Sequence, residues 1–369
     1  MSSYKLTEQT VLAALSNVEE PDLKRDIISL GMVKDVVLGV DSVRFTVVLT
    51  TPACPLKELI RQRCEDAIHT HIGPEVAVQV DMTANVTSTR SDAPLLPGVK
   101  NIIAVASGKG GVGKSTVTAN LAIALHKSGA KVGIIDADIY GPSIPVMFGA
   151  EEMQPQIVQI DGQNRLQPIR QFGIKLMSIG FLVPPDQAML WRGPVASRAL
   201  QQFFSDTEWG ELDYLLIDLP PGTGDIHLSL VQTVPVTGAI IVTTPQKVAI
   251  ADAIKGLAMF RQPQINVPVL GIVENMAWFT PAELPGNKYY IFGSGGAAQL
   301  AEKFDVPVLG QVPLVQSVRE AGDEGKPALV SDEGPATEAF REAAEALARR
   351  VAIRNATQDQ TKRVEFTRV

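Results

Sequence analysis

Ser107-Gly108-Lys109-Gly110-Gly111-Val112-Gly113-Lys114-Ser115-Thr116 decides how the rest of the chain is read. From Gly108 to Ser115 it fits the phosphate-binding pattern G-x-x-x-x-G-K-[ST] at every fixed position. Before it, Asn101 to Ala106 (NIIAVA) is a short apolar run that reads as a buried strand. After it, Lys114 to His126 (KSTVTANLAIALH) carries apolar residues at helical spacing. A strand, a glycine-rich turn and a helix start are the setting the motif needs. Backbone N–H groups from Gly108 through Thr116 are expected to close around phosphate oxygens, aided by the partial positive charge of the helix N-terminus. Lys114 is expected to reach the β- and γ-phosphates of ATP, and the Ser115 hydroxyl to sit on Mg²⁺.

Downstream, apolar runs alternate with helical stretches. Val132 to Asp136 (VGIID), Tyr214 to Asp218 (YLLID), Ala239 to Thr243 (AIIVT), Val269 to Val273 (VLGIV) and Val308 to Val312 suit central parallel strands covered on both faces. The helices between them imply right-handed crossovers and a doubly wound, mainly parallel α/β sheet. Ligands in such folds bind beyond the carboxyl ends of the strands, where several acids fall here. Asp218 follows four apolar or aromatic residues, the Walker B arrangement, so its carboxylate is expected to hold Mg²⁺. The glycines of Leu219-Pro220-Pro221-Gly222-Thr223-Gly224-Asp225 permit a loop that moves when γ-phosphate is lost. Asp136 and Asp138 end another strand in DADIYGPS. Asp136 joins Ser115 and Asp218 as an expected Mg²⁺ ligand, while Asp138 would position or deprotonate the attacking water. Capping or turn roles stay open for such strand-end acids.

The chain has 369 residues, enough for two or three domains, with 45% hydrophobic and 20% charged residues, as in ordinary globular proteins. A net charge of −7 argues against generic nucleic-acid binding. No apolar run approaches the roughly 18 residues of a membrane span. Met1-Ser2-Ser3-Tyr4-Lys5 has no signal-peptide core, so a cytoplasmic location is expected. The two cysteines, Cys54 and Cys64, cannot build a disulfide framework.

Residues 1–85 read as a small α+β domain. Thr7 to Leu15 is a short helix with Thr7 as N-cap. Val33 to Leu38 and Val43 to Leu49 flank Gly39-Val40-Asp41 as a hairpin. Cys54-Pro55 is expected to open a helix to about His71, and Val76 to Val80 alternates like a third strand. At a helix N-terminus the Cys54 thiol would favour the thiolate and bind metal; the alternative is a small buried residue. Cys64 lies mid-helix and reads as packing. His69 and His71 diverge on the helix and read as surface residues. Residues 86–98 are polar, then rich in Pro and Gly, as in a linker. Residues 99–354 form the main domain, and 355–369 read as a loose polar tail.

Lys109 places a second cation at the front of the phosphate loop. K-G-G-x-G-K-[ST] resembles the deviant loop of the MinD, ParA and nitrogenase-iron-protein ATPases. That resemblance implies a homodimer in which Lys109 contacts phosphates across the interface, so Lys109, Lys114 and Asp138 are the catalytic candidates. Thr51-Pro52-Ala53-Cys54-Pro55 resembles the T-x-x-C-P signature of PaaD-like metal–sulfur-assembly domains. Together, SGKGGVGKST, DADIYGPS, Met189-Leu190-Trp191-Arg192-Gly193-Pro194, DLPPGTGD and Glu274-Asn275-Met276 resemble the Mrp/ApbC family. The resemblance implies an ATP-hydrolysing iron–sulfur carrier, with Asn275 on the adenine and assembly proteins and client apoproteins as partners. Arg192 would act at the dimer surface or in a structural ion pair.

One departure stands out. Many relatives carry C-x-x-C after the Asn-Met pair, but residues 277–293 here contain no cysteine. Only Cys54 and Cys64 are left to offer thiolate to a cluster. Trp278, Phe279, Tyr289 and Tyr290 would instead form a dimer or client surface, or pin the loop down. A MinD/ParA-like positioning ATPase and a nucleotide-gated scaffold remain the competing readings. The tail Gln358 to Phe366 has little apolar face for a membrane.

Overall fold

The computed structural model describes residues 6–90, 95–160, 162–182, 193–281, 283–284, 286–331, 334–359 and 362–364. Contacts divide the chain into two compact units, residues 1–87 with 352–358 and residues 88–351 with 359–369.

In the first unit the helix Glu8–Leu15 is fixed by a capping box, with Thr10 N donating to Thr7 Oγ1 at 3.2 Å and Thr7 N to Thr10 Oγ1 at 3.0 Å. Such a cap stabilises a helix by about 1 kcal/mol. The strands Val33–Leu38 and Ser42–Leu49 pair antiparallel as expected, and Ala77–Ala84 adds alongside Ser42–Leu49 in parallel. Strict alternation buries Val43, Phe45, Val47 and Leu49 against Val11, Leu15, Ile60 and Ile68. The second helix is Lys57–His71, with Leu56 as its N-cap. Cys54 and Pro55 therefore precede it rather than open it. The chain turns at residues 52–53 and 55–56, and the helical bonds begin with Ile60 N on Leu56 O.

The second unit is built on an eight-stranded sheet. Its order is Ile169–Gln171, Ile174–Ser178, Val132–Asp136, Leu212–Asp218, Val99–Ala106, Gly238–Thr243, Val269–Glu274, Val308–Gln311. Only the pairing of Ile169–Gln171 with Ile174–Ser178 is antiparallel. The central strands are buried along their length, which is why they read as continuous apolar runs. The strands Ile169–Gln171 and Ile174–Ser178 were not expected; the first is an edge strand and the second lies between it and Val132–Asp136. Ile174–Ser178 is short, and Lys175 interrupts its apolar run. Two further stretches are more ordered than expected. Arg90 donates to the carbonyls of Leu95, Leu96 and Val99, and Ser88 Oγ to Lys100 O at 2.7 Å, so this part of the linker is bonded to the sheet. The last helix runs Pro335–Thr357, and beyond it Val364 N donates to Val231 O at 3.0 Å. Among the described residues no helix is long and apolar enough to cross a membrane.

Candidate functional site

The strand Val99–Ala106 ends between Leu212–Asp218 and Gly238–Thr243, and its carboxyl end delivers the phosphate loop to the middle of the sheet. Gly111 and Gly113 have φ of +82° and +80°, a region that only glycine enters without strain. Gly113 caps the helix Lys114–Lys127, whose first N–H groups face the loop. Gly108 has a different task. A Cβ there would lie 2.1 Å from the backbone carbon of Asp252, so its missing side chain lets the loop press against the helix Lys247–Phe260. Two strand-end bonds hold the neighbouring loop: Leu219 N donates to Val105 O and Gly222 N to Ser107 O at 2.8 Å.

The expected residues converge. Lys114 is buried, and its Nζ lies 2.9 Å from Asp218 Oδ2, 3.8 Å from Asp138 Oδ2 and 3.2 Å from Ser115 Oγ. Ser115 Oγ donates to Asp218 Oδ2 at 2.6 Å. Asp218 pairs in register with Asp136 on the adjoining strand, which puts the two carboxylates side by side. Both are fully buried. Asp136 accepts from Asp138 N and Ile144 N, and from Ser178 Oγ at 3.2 Å. Burial, then the Asp218 charge, raises the Asp136 pKa; burial also raises that of Asp138, against the pull of Lys114. Three carboxylates thus share one ammonium in a poorly solvated place. Among the described residues no three of these side chains are arranged around one metal position, but the Asp218 carboxylate and the Ser115 hydroxyl, 2.6 Å apart, are hard oxygens of the kind Mg²⁺ prefers.

Other positions lie outside this cluster. Lys109 is exposed and touches none of these carboxylates through a described ion pair. Asn275 turns to the loop: its Nδ2 donates to Val112 O at 2.9 Å and would meet a Cβ on Gly113 at 2.2 Å. Arg192 lies outside the described residues. Trp278 and Phe279 pin their segment: Phe279 and Tyr289 exchange two backbone bonds of 2.8 Å, Leu314 N reaches Trp278 O, and Lys288 Nζ sits 3.9 Å over the Trp278 ring. Tyr289 and Tyr290 remain outward, 45% and 53% exposed, so the two readings of this loop divide between its residues. Cys54 is half-buried just before the helix Lys57–His71, two residues ahead of its N-cap Leu56, and its carbonyl accepts from Lys57 N at 3.4 Å. Cys64 is fully buried, and burial pushes its thiol up to about 12.

Three contributors were missed. Thr118 Oγ1 donates to Asp218 Oδ1 at 2.8 Å, one turn beyond Lys114 on the same helix face. That i, i+4 spacing was legible. Ser178 belongs to the unexpected strand Ile174–Ser178. Glu274 is buried and accepts from Ala297 N at 2.9 Å and from Gln311 Nε2, tying a helix N-terminus to the Asn275 strand.

Comparison with known proteins agrees with this arrangement. Residues 98–348 match the NUBPL iron-transfer P-loop NTPase family of the ParA group, and residues 8–81 match the iron–sulfur cluster assembly protein family. The chain is 49% identical over 328 residues to an iron–sulfur cluster carrier protein of Synechocystis sp., covering 88% of this chain and 92% of that one. It is 45% identical over 341 residues to the carrier of Escherichia coli, covering 92% and 90%. Among solved structures, a nucleotide-binding protein of Archaeoglobus fulgidus in complex with ADP superposes with a TM-score of 0.56 at 42% identity, over 66% of this chain and 92% of that one. A Walker loop set against two strand-end aspartates, on a sheet of this order, belongs to a chain of the NUBPL iron-transfer P-loop NTPase family that also carries an iron–sulfur cluster assembly domain.

Proposed function

We propose that this chain is a cytoplasmic, homodimeric ATPase that carries iron–sulfur clusters to client apoproteins. The observation that supports it most is the Lys114–Ser115–Asp218 cluster at the mouth of the central strands. Ser115 and Asp218 hold Mg²⁺ in this reading, and the neighbouring Asp136 lends charge from the adjacent strand. Mg²⁺ would screen the phosphates and the carboxylates from one another. Lys114 then turns from Asp218 to the β- and γ-phosphates, where developing charge makes a fixed cation most valuable. The loop Gly108–Thr116 cradles the phosphates through its N–H groups. Asp138, on the rim and partly exposed, orients the attacking water; its raised pKa suits a group that must also accept a proton. Asn275 keeps its donor on Val112 and offers Oδ1 to the amino group of adenine. Lys109 is free of the cluster's own carboxylates and, exposed at the loop front, reaches the phosphates of a second copy.

The cargo is held differently from the nucleotide. The second unit has no cysteine, and Cys64 is too buried and too weakly acidic to be a thiolate. Cys54 is left as the thiolate donor, two copies per dimer, with the remaining ligands supplied from outside. Such a site releases its cluster readily, which suits transfer. Iron and sulfide content after anaerobic reconstitution tests this. Cys54→Ala should lose most of its cluster while Cys64→Ala keeps it at a stability cost of about 1 kcal/mol. Equal loading of Cys54→Ala and wild type would refute the assignment.

A further inference from the structure

His227 belongs to no role described above, yet its setting is unusual. It lies in the first turn of the helix Asp225–Thr233, which the chain enters straight from Pro220-Pro221-Gly222-Thr223-Gly224. The loop residues 221–225 are at least partly exposed, whereas His227 is 1% exposed. Neither Nδ1 nor Nε2 has a hydrogen-bond partner, and neither is reached by solvent. The ring packs against Phe260, with centroids 6.4 Å apart. Burial lowers its pKa to about 4; the nearby Gly224 carbonyl pulls the other way without bonding the ring, and the Lys114 charge lowers it further. The imidazole is thus neutral, within electrostatic reach of Lys114 and of the Gly224 carbonyl on the loop.

A buried polar ring left without partners is costly, and an apolar side chain of similar size would pack there without that cost. Where such a group is retained, a conformation that satisfies it is the physical reason to look for. The loop before it is tied to the phosphate loop through the bond from Gly222 N to Ser107 O, and Asp218 at its start is tied to Lys114. When Lys114 leaves Asp218 for phosphate, both ends of this connection change.

We infer that His227 is a positioning residue for ATP hydrolysis: in the nucleotide-engaged conformation its ring hydrogen-bonds the Gly222–Gly224 loop and holds that loop against the phosphates. The inference rests on the ATPase reading above. In the structure described here the latch is open, with the ring buried behind the loop and the Gly224 carbonyl accepting from the His227 backbone N–H at 3.1 Å. Closing it needs a small movement of the glycine-rich segment, whose backbone is the part best able to move. The ring touches neither water nor phosphate in this scheme. It acts through the loop, so its loss should lower kcat and leave the KM for ATP nearly unchanged.

The test compares wild type, His227→Leu and His227→Gln for thermal unfolding and for steady-state turnover of Mg-ATP. His227→Leu should unfold at or above the wild-type temperature, because the orphan nitrogens are gone, and yet lose about 10- to 100-fold in kcat, the scale of a misplaced catalytic group. His227→Gln retains a donor and an acceptor and should recover most of that loss. A purely structural histidine would instead give a less stable Leu protein with Gln no better, and that outcome overturns the inference. So does a stable His227→Leu protein with wild-type kcat while the wild type hydrolyses ATP. A wild type without ATP turnover would defeat the ATPase reading itself, and the latch with it.

Discussion

At the scale of single residues, the site is organised by charge that has lost its water. Asp136, Asp138 and Asp218 surround Lys114, and burial is the largest influence raising Asp136 and Asp138 above the ordinary 3.8. A carboxylate whose folded-state pKa is raised favours folding while it is protonated. That contribution is full below 3.8 and is lost as pH rises through the raised values. Above 3.8 the folded protein therefore bears a growing cost, first of keeping protons that the unfolded chain has released and then, at higher pH, of ionising these buried acids. A divalent cation bound by Ser115 and Asp218 removes that cost, and removes more of it where the acids are more ionised. The rise in unfolding temperature on adding Mg²⁺ should thus be larger at about pH 8 than at about pH 5. Differential scanning calorimetry with and without Mg²⁺ at both pH values measures it. An equal rise at the two would contradict a cation on these carboxylates. Asp218 was legible in the sequence because a strand-end acid after four apolar or aromatic residues has few other uses. Thr118 and His227 were not, since a threonine or a histidine on an apolar helix gives no sign of what it faces.

At the scale of elements, local rules that the sequence states openly were kept. The strand–loop–helix around Gly108 to Thr116 has the expected order because an apolar run, two left-handed glycines and a good helix former each favour the same conformation. Where tertiary contact decides, the sequence was silent. The strands Ile169–Gln171 and Ile174–Ser178 exist because a neighbour pairs with them, and the helix after Cys54 starts at Lys57 because turns intervene. Cys54 thus stands just ahead of the helix instead of in its first turn, with its carbonyl on Lys57 N. Gly108 shows the same distinction at one position: its pattern announced phosphate binding, whereas its contact is the backbone of Asp252. Gly108→Ala should push the loop off the helix Lys247–Phe260. The expected cost is about 1–3 kcal/mol, read as a lowered denaturation midpoint, because backbone cannot yield as a side chain does. An unchanged midpoint would show that the close approach is dispensable.

At the scale of the whole molecule, two units of different chemistry lie on one chain. One offers oxygen donors and a lysine for phosphate; the other offers the half-buried Cys54. A polar, then Pro- and Gly-rich stretch at residues 86–98 pointed to a division of the chain, but nothing in it announced the bonding of Ser88 and Arg90 to the sheet. The same loop carries two lysines in opposite settings, Lys114 buried among carboxylates and Lys109 exposed. In the proposed two-fold dimer each site would take Lys114 from its own chain and Lys109 from the other copy. The most direct test of the account is ATP turnover by Lys114→Ala and Lys109→Ala proteins, each alone and after mixing under conditions that exchange subunits. The account predicts that each protein alone is nearly inactive with its fold intact. Mixing should restore about a quarter of wild-type turnover, because half the dimers are mixed and each holds one complete site. Wild-type turnover by Lys114→Ala alone would contradict the nucleotide site, and no recovery in dimers shown to be mixed would contradict the shared one.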